Sequence, residues 1–74
     1  SFWREVAIVK FLADDATLES LRGTHVFDIL DRQPQEVCVA QLAGTSQMID
    51  EFLQLVGERR VLELARSGFT ALEK

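Results

Sequence analysis

Two short runs that are apolar on both alternating faces constrain the fold of this chain more than any other feature. Residues 6–12 read VAIVKFL and residues 37–42 read VCVAQL, with Lys10 and Gln41 as the polar exceptions. Successive side chains of a strand point to opposite faces of a sheet, so a run of this kind belongs in the middle of a sheet. We therefore predict two neighbouring central strands.

The second run leads directly into an amphipathic helix. Gly44 ends the strand, and Thr45 or Ser46 can accept a hydrogen bond from the free N–H groups of a first helical turn. Four apolar residues then recur at the spacing of one helical face: Ile49, Phe52, Leu53 and Val56. This spacing predicts a helix with one buried stripe, and Gly57 is placed to end it with a left-handed cap.

The segment between the two central strands predicts a short helix and an edge strand. Asp14 or Asp15 can cap a helix that begins at Ala16 and stops at Gly23. Residues 24–30 are rich in β-branched and aromatic side chains and predict the edge strand, and residues 31–36 predict a turn around Pro34.

A longer helix through Leu18, Leu21, Val26 and Ile29 is the alternative interpretation of this segment, and it leaves only residues 29–33 as a strand. We prefer the short helix, because Gly23 costs about 1 kcal/mol inside a helix relative to alanine.

The end of the chain predicts a fourth strand. Residues 61–67 alternate imperfectly, with Leu62 and Leu64 on one face and Glu63 on the other, and residues 69–72 either extend this strand or fold back along the sheet.

The resulting order β-α-β-β-α-β is the split βαβ pattern, in which strands one and three are central and both helices cover one face of a four-stranded antiparallel sheet. The central strands are nevertheless apolar on both faces. The second face would expose an apolar patch on the order of several hundred Å², which soluble monomers rarely leave in water. We expect this face to dimerise or to dock against another domain or subunit.

Composition excludes several classes of partner. The 74 residues form one small domain, 1–74, with a net charge of −4 and scattered basic residues, so nucleic acid and anionic membranes are disfavoured. The chain shows no transmembrane run and no signal peptide pattern, and its single cysteine fits a reducing compartment. It opens Ser1-Phe2-Trp3 without an initiator Met, which suggests a piece of a longer protein.

Residue types that could support catalysis or metal binding are better explained by structural roles. His25 has no His, Cys or Glu at ligand spacing, so we expect an edge-strand histidine that packs or titrates at the surface. Cys38 falls in a buried strand, whereas a nucleophile needs an exposed, electropositive site. The pairs Asp14-Asp15 and Asp50-Glu51 suit helix capping and a solvated helix face. We therefore assign no catalytic, cofactor-binding or metal-binding residue.

Arg66-Ser67-Gly68 is the segment we favour for a partner contact. An arginine near the end of an edge strand, beside a glycine that lets another backbone approach, can bind a carboxylate of a neighbouring chain through its planar fork. A strand-end bulge with a solvated arginine is the competing interpretation.

Several segments together resemble one known family. Residues 41–46 (QLAGTS), followed by Ile49-Asp50 and Phe52-Leu53 and then by residues 62–68 (LELARSG), are similar to the C-terminal domain of the small regulatory subunit of acetolactate (acetohydroxyacid) synthase. Residues 4–10 resemble the first strand of that domain, and residues 21–29 its first helix end and second strand. Two departures are a shorter first helix and a longer hairpin through Pro34.

The resemblance implies an ACT-like, ferredoxin-like domain without catalytic activity of its own. It implies a homodimer that binds and activates the acetolactate synthase catalytic subunit, in the biosynthesis of valine, leucine and isoleucine. Thiamine diphosphate, flavin and magnesium would belong to the catalytic partner, and no cofactor to this domain. The domain that senses valine would precede this one. The implied location is the cytoplasm of a bacterium, or the plastid if the source is a plant.

Two other functions stay open. A generic ACT-like domain could bind a small metabolite at a dimer or domain interface, and ligand-dependent melting of this domain alone would favour it. A small enzyme of the acylphosphatase type is disfavoured, because no phosphate-binding loop with a paired arginine precedes the first helix.

Overall fold

The described part of the chain folds as four strands and two helices in the order expected. The structure, a computed structural model, describes residues 4–67. Its elements are β1 (Glu5–Leu12), α1 (Asp15–Arg22), β2 (Asp28–Gln33), β3 (Val37–Gly44), α2 (Ser46–Val56) and β4 (Val61–Arg66), with a 3-10 turn over Glu58–Arg60. The strands form one antiparallel sheet in the order β2-β3-β1-β4. This arrangement confirms the predicted α+β, ferredoxin-like βαββαβ fold.

The two apolar runs form the central pair of the sheet. β1 and β3 pair from Glu5 opposite Gly44 to Leu12 opposite Val37. On the face that the helices cover, alternate residues of both strands are buried: Ala7, Val9, Phe11, Cys38, Ala40 and Leu42. The alternate residues of the same strands, among them Val6, Ile8 and Val39, lie on the other face, so apolar residues occupy both faces of the sheet as predicted. No described element covers that face.

Capping residues fix the start of each helix. The Asp14 carboxylate accepts a hydrogen bond from Thr17 N–H at 2.8 Å. Hydrogen bonding to the Thr17 side chain, and then this bond to its backbone, lower the pKa of Asp14. The Thr45 hydroxyl likewise accepts from Met48 N–H at 3.1 Å. Both predicted caps are confirmed. Gly57 ends α2 at φ 97° and ψ 130°, so its φ is positive as predicted, but its ψ is not that of a left-handed helical cap.

The position of β2 differs from the sequence prediction. The strand begins at Asp28 instead of residue 24 and continues through residues that were assigned to the turn. The reason is its ladder with β3, which pairs Asp31 with Val39 and extends to Gln33 opposite Val37. The turn is confined to the residues between the two strands, where Gln35 and Glu36 both adopt positive φ, at 66° and 64°.

The alternative longer helix is also wrong, because α1 ends at Arg22 and a loop follows it. The strand over residues 29–33 in that alternative nevertheless has nearly the same bounds as the observed β2. In the loop, Phe27 is buried in the core while Val26 is 90% exposed. The β-rich residues after Gly23 therefore anchor a loop before the strand begins.

β4 departs from simple alternation. Glu63 lies opposite Lys10 and Val61 opposite Phe11, so Leu62 is an extra residue at a bulge. The bulge places Val61 on the helix-covered side of the sheet, together with Leu64, which lies opposite Val9. The predicted extension over residues 69–72 lies outside the described part of the chain.

Phe52 is the centre of the core. Its side chain is fully buried, and its ring lies 5.8 Å from the Phe11 ring and 5.3 Å from the Phe27 ring, both in edge contacts. The residue joins α2 to the central strand and to the loop before β2, so one side chain connects three segments.

Replacing Phe52 with alanine should therefore destabilise the fold by about 3–5 kcal/mol, which is a large part of the stability of a domain of this size. Urea denaturation followed by circular dichroism measures the change. Leu55→Ala is the matched control on the same helix, because Leu55 is 56% exposed and its truncation should have little effect. A Phe52→Ala chain that unfolds at the same urea concentration as the native chain would contradict this description of the core.

Candidate association surface

The face of the sheet that the helices leave open presents apolar side chains from three strands. Val6 and Ile8 of β1 are 42% and 41% exposed. The pairing register places Ala43 of β3 beside Val6, and Ala65 of β4 beside Ile8. Within residues 4–67 no element covers this surface, which we call the open face. The predicted uncovered apolar face is therefore present.

One row of the open face contains charged residues. Lys10 of β1 lies between Val39 of β3 and Glu63 of β4, and Asp31 of β2 lies on the far side of Val39. The side-chain amide nitrogen of Gln33, in the next pair of the ladder, donates to the Asp31 carboxylate at 3.0 Å. A shallow cavity of about 320 Å³ adjoins this row and is lined in part by Lys10, Val39 and Glu63.

A cluster of charged residues joins the end of β4 to the rest of the domain. The Arg66 guanidinium donates from Nε to Glu5 Oε1 at 3.0 Å and from Nη1 to Asp50 Oδ1 at 2.7 Å. Glu5 is only 3% exposed, and it also accepts a hydrogen bond from the Ser46 hydroxyl. The hydrogen bonds to Glu5 and then to Asp50 raise the pKa of Arg66. The cluster thus connects β1, the first turns of α2 and the edge strand.

Arg66 and Ser67, two of the three residues predicted to contact a partner, make hydrogen bonds within their own chain. The carboxylates that Arg66 binds belong to its own chain, and about a quarter of its side chain stays exposed. Ser67 pairs with Val6, because its Oγ accepts from Val6 N–H and its N–H donates to the Val6 carbonyl, each at 3.0 Å. Gly68 lies outside the described residues. The partner contact at Arg66, Ser67 and Gly68 stays a prediction.

Sequence analysis did not single out Glu5. The signal was available, because Glu5 shares the parity of Ala7, Val9 and Phe11, the side of β1 that the helices cover. A carboxylate on that side must be paired, and an arginine at the end of an adjoining strand supplies the pair.

The single histidine and the single cysteine contribute to packing. Cys38 is fully buried, and burial raises the pKa of its thiol, as expected for a core residue. His25 lies in the loop before β2 and not in an edge strand; its ring is 5.6 Å from the Phe52 ring, and its Nδ1 is 2.9 Å from Thr24 Oγ1. Residues 4–67 contain no group of three or more His, Cys, Asp or Glu side chains arranged to hold a metal ion.

Two open grooves lie on the helix side. One of about 810 Å³ separates α2 from β4 and has Leu53, Val61 and Leu64 among its lining, and one of about 540 Å³ lies beside His25 and Leu55. Every buried side-chain nitrogen and oxygen in the described chain has a hydrogen-bond partner, so no unpaired buried polar group points into either groove. No helix among residues 4–67 is long and apolar enough to cross a bilayer.

Removing the Arg66 guanidinium should be costly. Arg66→Ala leaves the buried Glu5 carboxylate without its cation, and we expect a loss of about 2–4 kcal/mol in the free energy of unfolding. Asp50→Ala, which removes only the exposed member of the cluster, should cost about 1 kcal/mol or less. Urea denaturation of both variants measures the difference, and equal effects would show that Glu5 does not depend on Arg66.

The fold and this surface define a ferredoxin-like domain with one apolar sheet face left uncovered. A family model described as the small subunit of acetolactate synthase matches residues 4–74, and the chain belongs to this family. It is also similar in structure to the acetolactate synthase small subunit of Thermotoga maritima, with a TM-score of 0.76 and 25% sequence identity. The match covers 88% of this chain and 41% of that subunit, so this chain spans less than half of its length. A search among curated proteins found no match. The resemblance found in the sequence is confirmed.

Proposed function

We propose that this chain is a regulatory domain of acetolactate synthase that works by association: it joins two copies of the regulatory subunit and binds and activates the catalytic subunit. The enzyme serves the biosynthesis of valine, leucine and isoleucine. The observation that supports the proposal is the open face, because a chain of the small-subunit family presents an uncovered apolar sheet surface. Such a surface is a site of protein association.

A second copy is well suited to cover the open face. A two-fold dimer brings the same patch from both chains together, so one apolar surface satisfies both. Val6 and Ile8 keep about two-fifths of their surface exposed in the single chain. Each fully buried side chain of this size stabilises by about 1.5–3 kcal/mol, so completing the burial of several such residues favours association.

The chemistry of the enzyme belongs to the catalytic subunit in this proposal. Thiamine diphosphate, flavin and magnesium are assigned to that subunit, and no cofactor, nucleic acid or membrane is assigned to this domain. The response to valine is assigned to another domain of the regulatory subunit. The proposed location is the bacterial cytoplasm, or the plastid if the source is a plant.

Dimerisation through the open face predicts that Ile8→Asp weakens self-association. A carboxylate in the middle of the apolar contact would lose its hydration, so the dimer Kd should rise at least about tenfold. Sedimentation velocity over a concentration series measures the Kd, and circular dichroism verifies the fold. Leu55→Asp is the matched control, since Leu55 is similarly exposed but lies on the helix side. Weaker association of the Leu55 variant alone would assign the dimer contact to the helix side.

Binding of the catalytic subunit predicts a gain of activity on titration. The chain added to the acetolactate synthase catalytic subunit of the same organism should co-purify with it and raise its turnover, and valine should not change this effect. Absence of both binding and activation would contradict the regulatory assignment. A rise in the melting temperature of the chain with valine would instead favour a domain that binds the amino acid itself.

A further inference from the structure

Lys10 is the one cation among the open-face residues that pair in the described sheet, and the proposed dimer would cover it. Its side chain is half-buried between Ile8 and Val39, in the middle of the apolar area. It forms no salt bridge with any residue of the described range 4–67. An ammonium that is removed from water needs a carboxylate partner, because an unpaired buried charge is strongly destabilising.

The carboxylates of the open face lie on both sides of Lys10. Asp31 and Glu63 belong to the same cross-strand row, on the two edge strands, and Asp28 lies one row away opposite Gln41. The row therefore reads Asp31, Val39, Lys10, Glu63 across β2, β3, β1 and β4. Its charges are negative at the two ends and positive at one inner position.

This row restricts how two copies can pack. Sheets that pack face to face have nearly aligned strands. If the two-fold axis runs parallel to the strands and between β1 and β3, the apolar patches of the two copies overlap, and each row of one copy faces the same row of the other copy in reverse strand order. Asp31 of the second copy then lies opposite Glu63, displaced from Lys10 by one strand spacing of about 4.8 Å across the sheet and by the separation of about 10 Å between the two sheets. The lysine and aspartate side chains extend toward each other across that separation, so the ammonium can lie between the two carboxylates.

A two-fold axis that lies between the sheets but runs perpendicular to the strands gives poorer charge pairing. It places each row of one copy opposite the neighbouring row of the other copy, so Asp31 faces Asp28 of the second copy, two strands away from Lys10. Like charges would then meet without a cation between them.

We propose that Lys10 is the residue that specifies this dimer: its ammonium bridges Glu63 of its own chain and Asp31 of the second copy, and thereby selects the two-fold axis parallel to the strands. The proposal rests on the dimer of the proposed function. It adds that the occupant of the open face is recognised by charge as well as by apolar contact, and a second copy of this chain supplies both.

Charge exchange between chains tests the pairing. Lys10→Glu puts three carboxylates together and should raise the dimer Kd at least about tenfold. Asp31→Lys alone removes the carboxylate that the second copy supplies and sets another ammonium beside Lys10, so it should raise the Kd as well. The dimer has two equivalent sites, each made of Lys10 and Glu63 of one chain and Asp31 of the other. In a heterodimer of the two variants, one site regains a single cation between two carboxylates and the other keeps its native residues. A 1:1 mixture should therefore form heterodimers. Sedimentation velocity and native mass spectrometry measure both results.

Glu63→Lys is the matched control for a contact within one chain. Mixed with Lys10→Glu, it leaves one site with three carboxylates, so it should not rescue association between chains. Rescue by Glu63→Lys as effective as rescue by Asp31→Lys would show that the second copy presents Glu63, and not Asp31, to Lys10. No rescue in either mixture would show that Lys10 acts only on its own chain. Either result overturns the proposed pairing. If Lys10→Glu fails to fold by circular dichroism, Lys10→Gln replaces it, with a smaller rise in Kd expected.

The outcomes separate this proposal from the proposed function. A native chain that dimerises, with an unchanged Kd in the Lys10 variants, overturns the charge pairing and leaves the open-face dimer in place. A native chain that stays monomeric at every concentration overturns both the charge pairing and the open-face dimer, and it assigns the open face to another occupant, such as the catalytic subunit or another segment of the regulatory subunit.

Discussion

One-sided coverage of the sheet is the constraint on which the rest of the structure depends. Two short helices bury Ala7, Val9 and Phe11 of the central strand, and Phe52 closes the core above them. The helices of this fold lie on one side only, so the alternate residues Val6 and Ile8 stay exposed. A domain of this size buries little surface for its length, and an uncovered apolar face leaves still more apolar surface in contact with water.

The ion cluster at the end of β4 stabilises the edge strand of the sheet. An edge strand is held by a ladder on one side only, and β4 also contains a bulge at Leu62. Arg66 ties this strand to Glu5 and Asp50, which lie on the central strand and on α2. The buried carboxylate and the arginine require each other, so the position of the edge strand is fixed by electrostatic pairing as well as by backbone hydrogen bonds.

The Arg66 cluster and Lys10 differ in where their carboxylate partners lie. Arg66 finds its carboxylates within the chain, which makes the cluster a stabilising element of the fold. Lys10 lies on the open face beside Glu63 in register but forms no salt bridge among residues 4–67. In the proposed dimer, the Arg66 cluster stabilises each sheet, and Lys10 determines how the two sheets pack against each other. In that dimer, the lysine on the apolar open face of this acidic chain would have a carboxylate from each copy beside it.

The sequence by itself determined the features that depend on local periodicity and capping. The apolar runs of β1 and β3, the stripe from Ile49 to Val56 and the caps Asp14 and Thr45 were all predictable, because each depends on neighbours within a few residues. Tertiary structure decided the start of β2 at Asp28, the bulge at Leu62 and the pairing of Glu5 with Arg66. These features depend on ladder register and on contacts between residues far apart in the chain, and local pattern does not specify either of them.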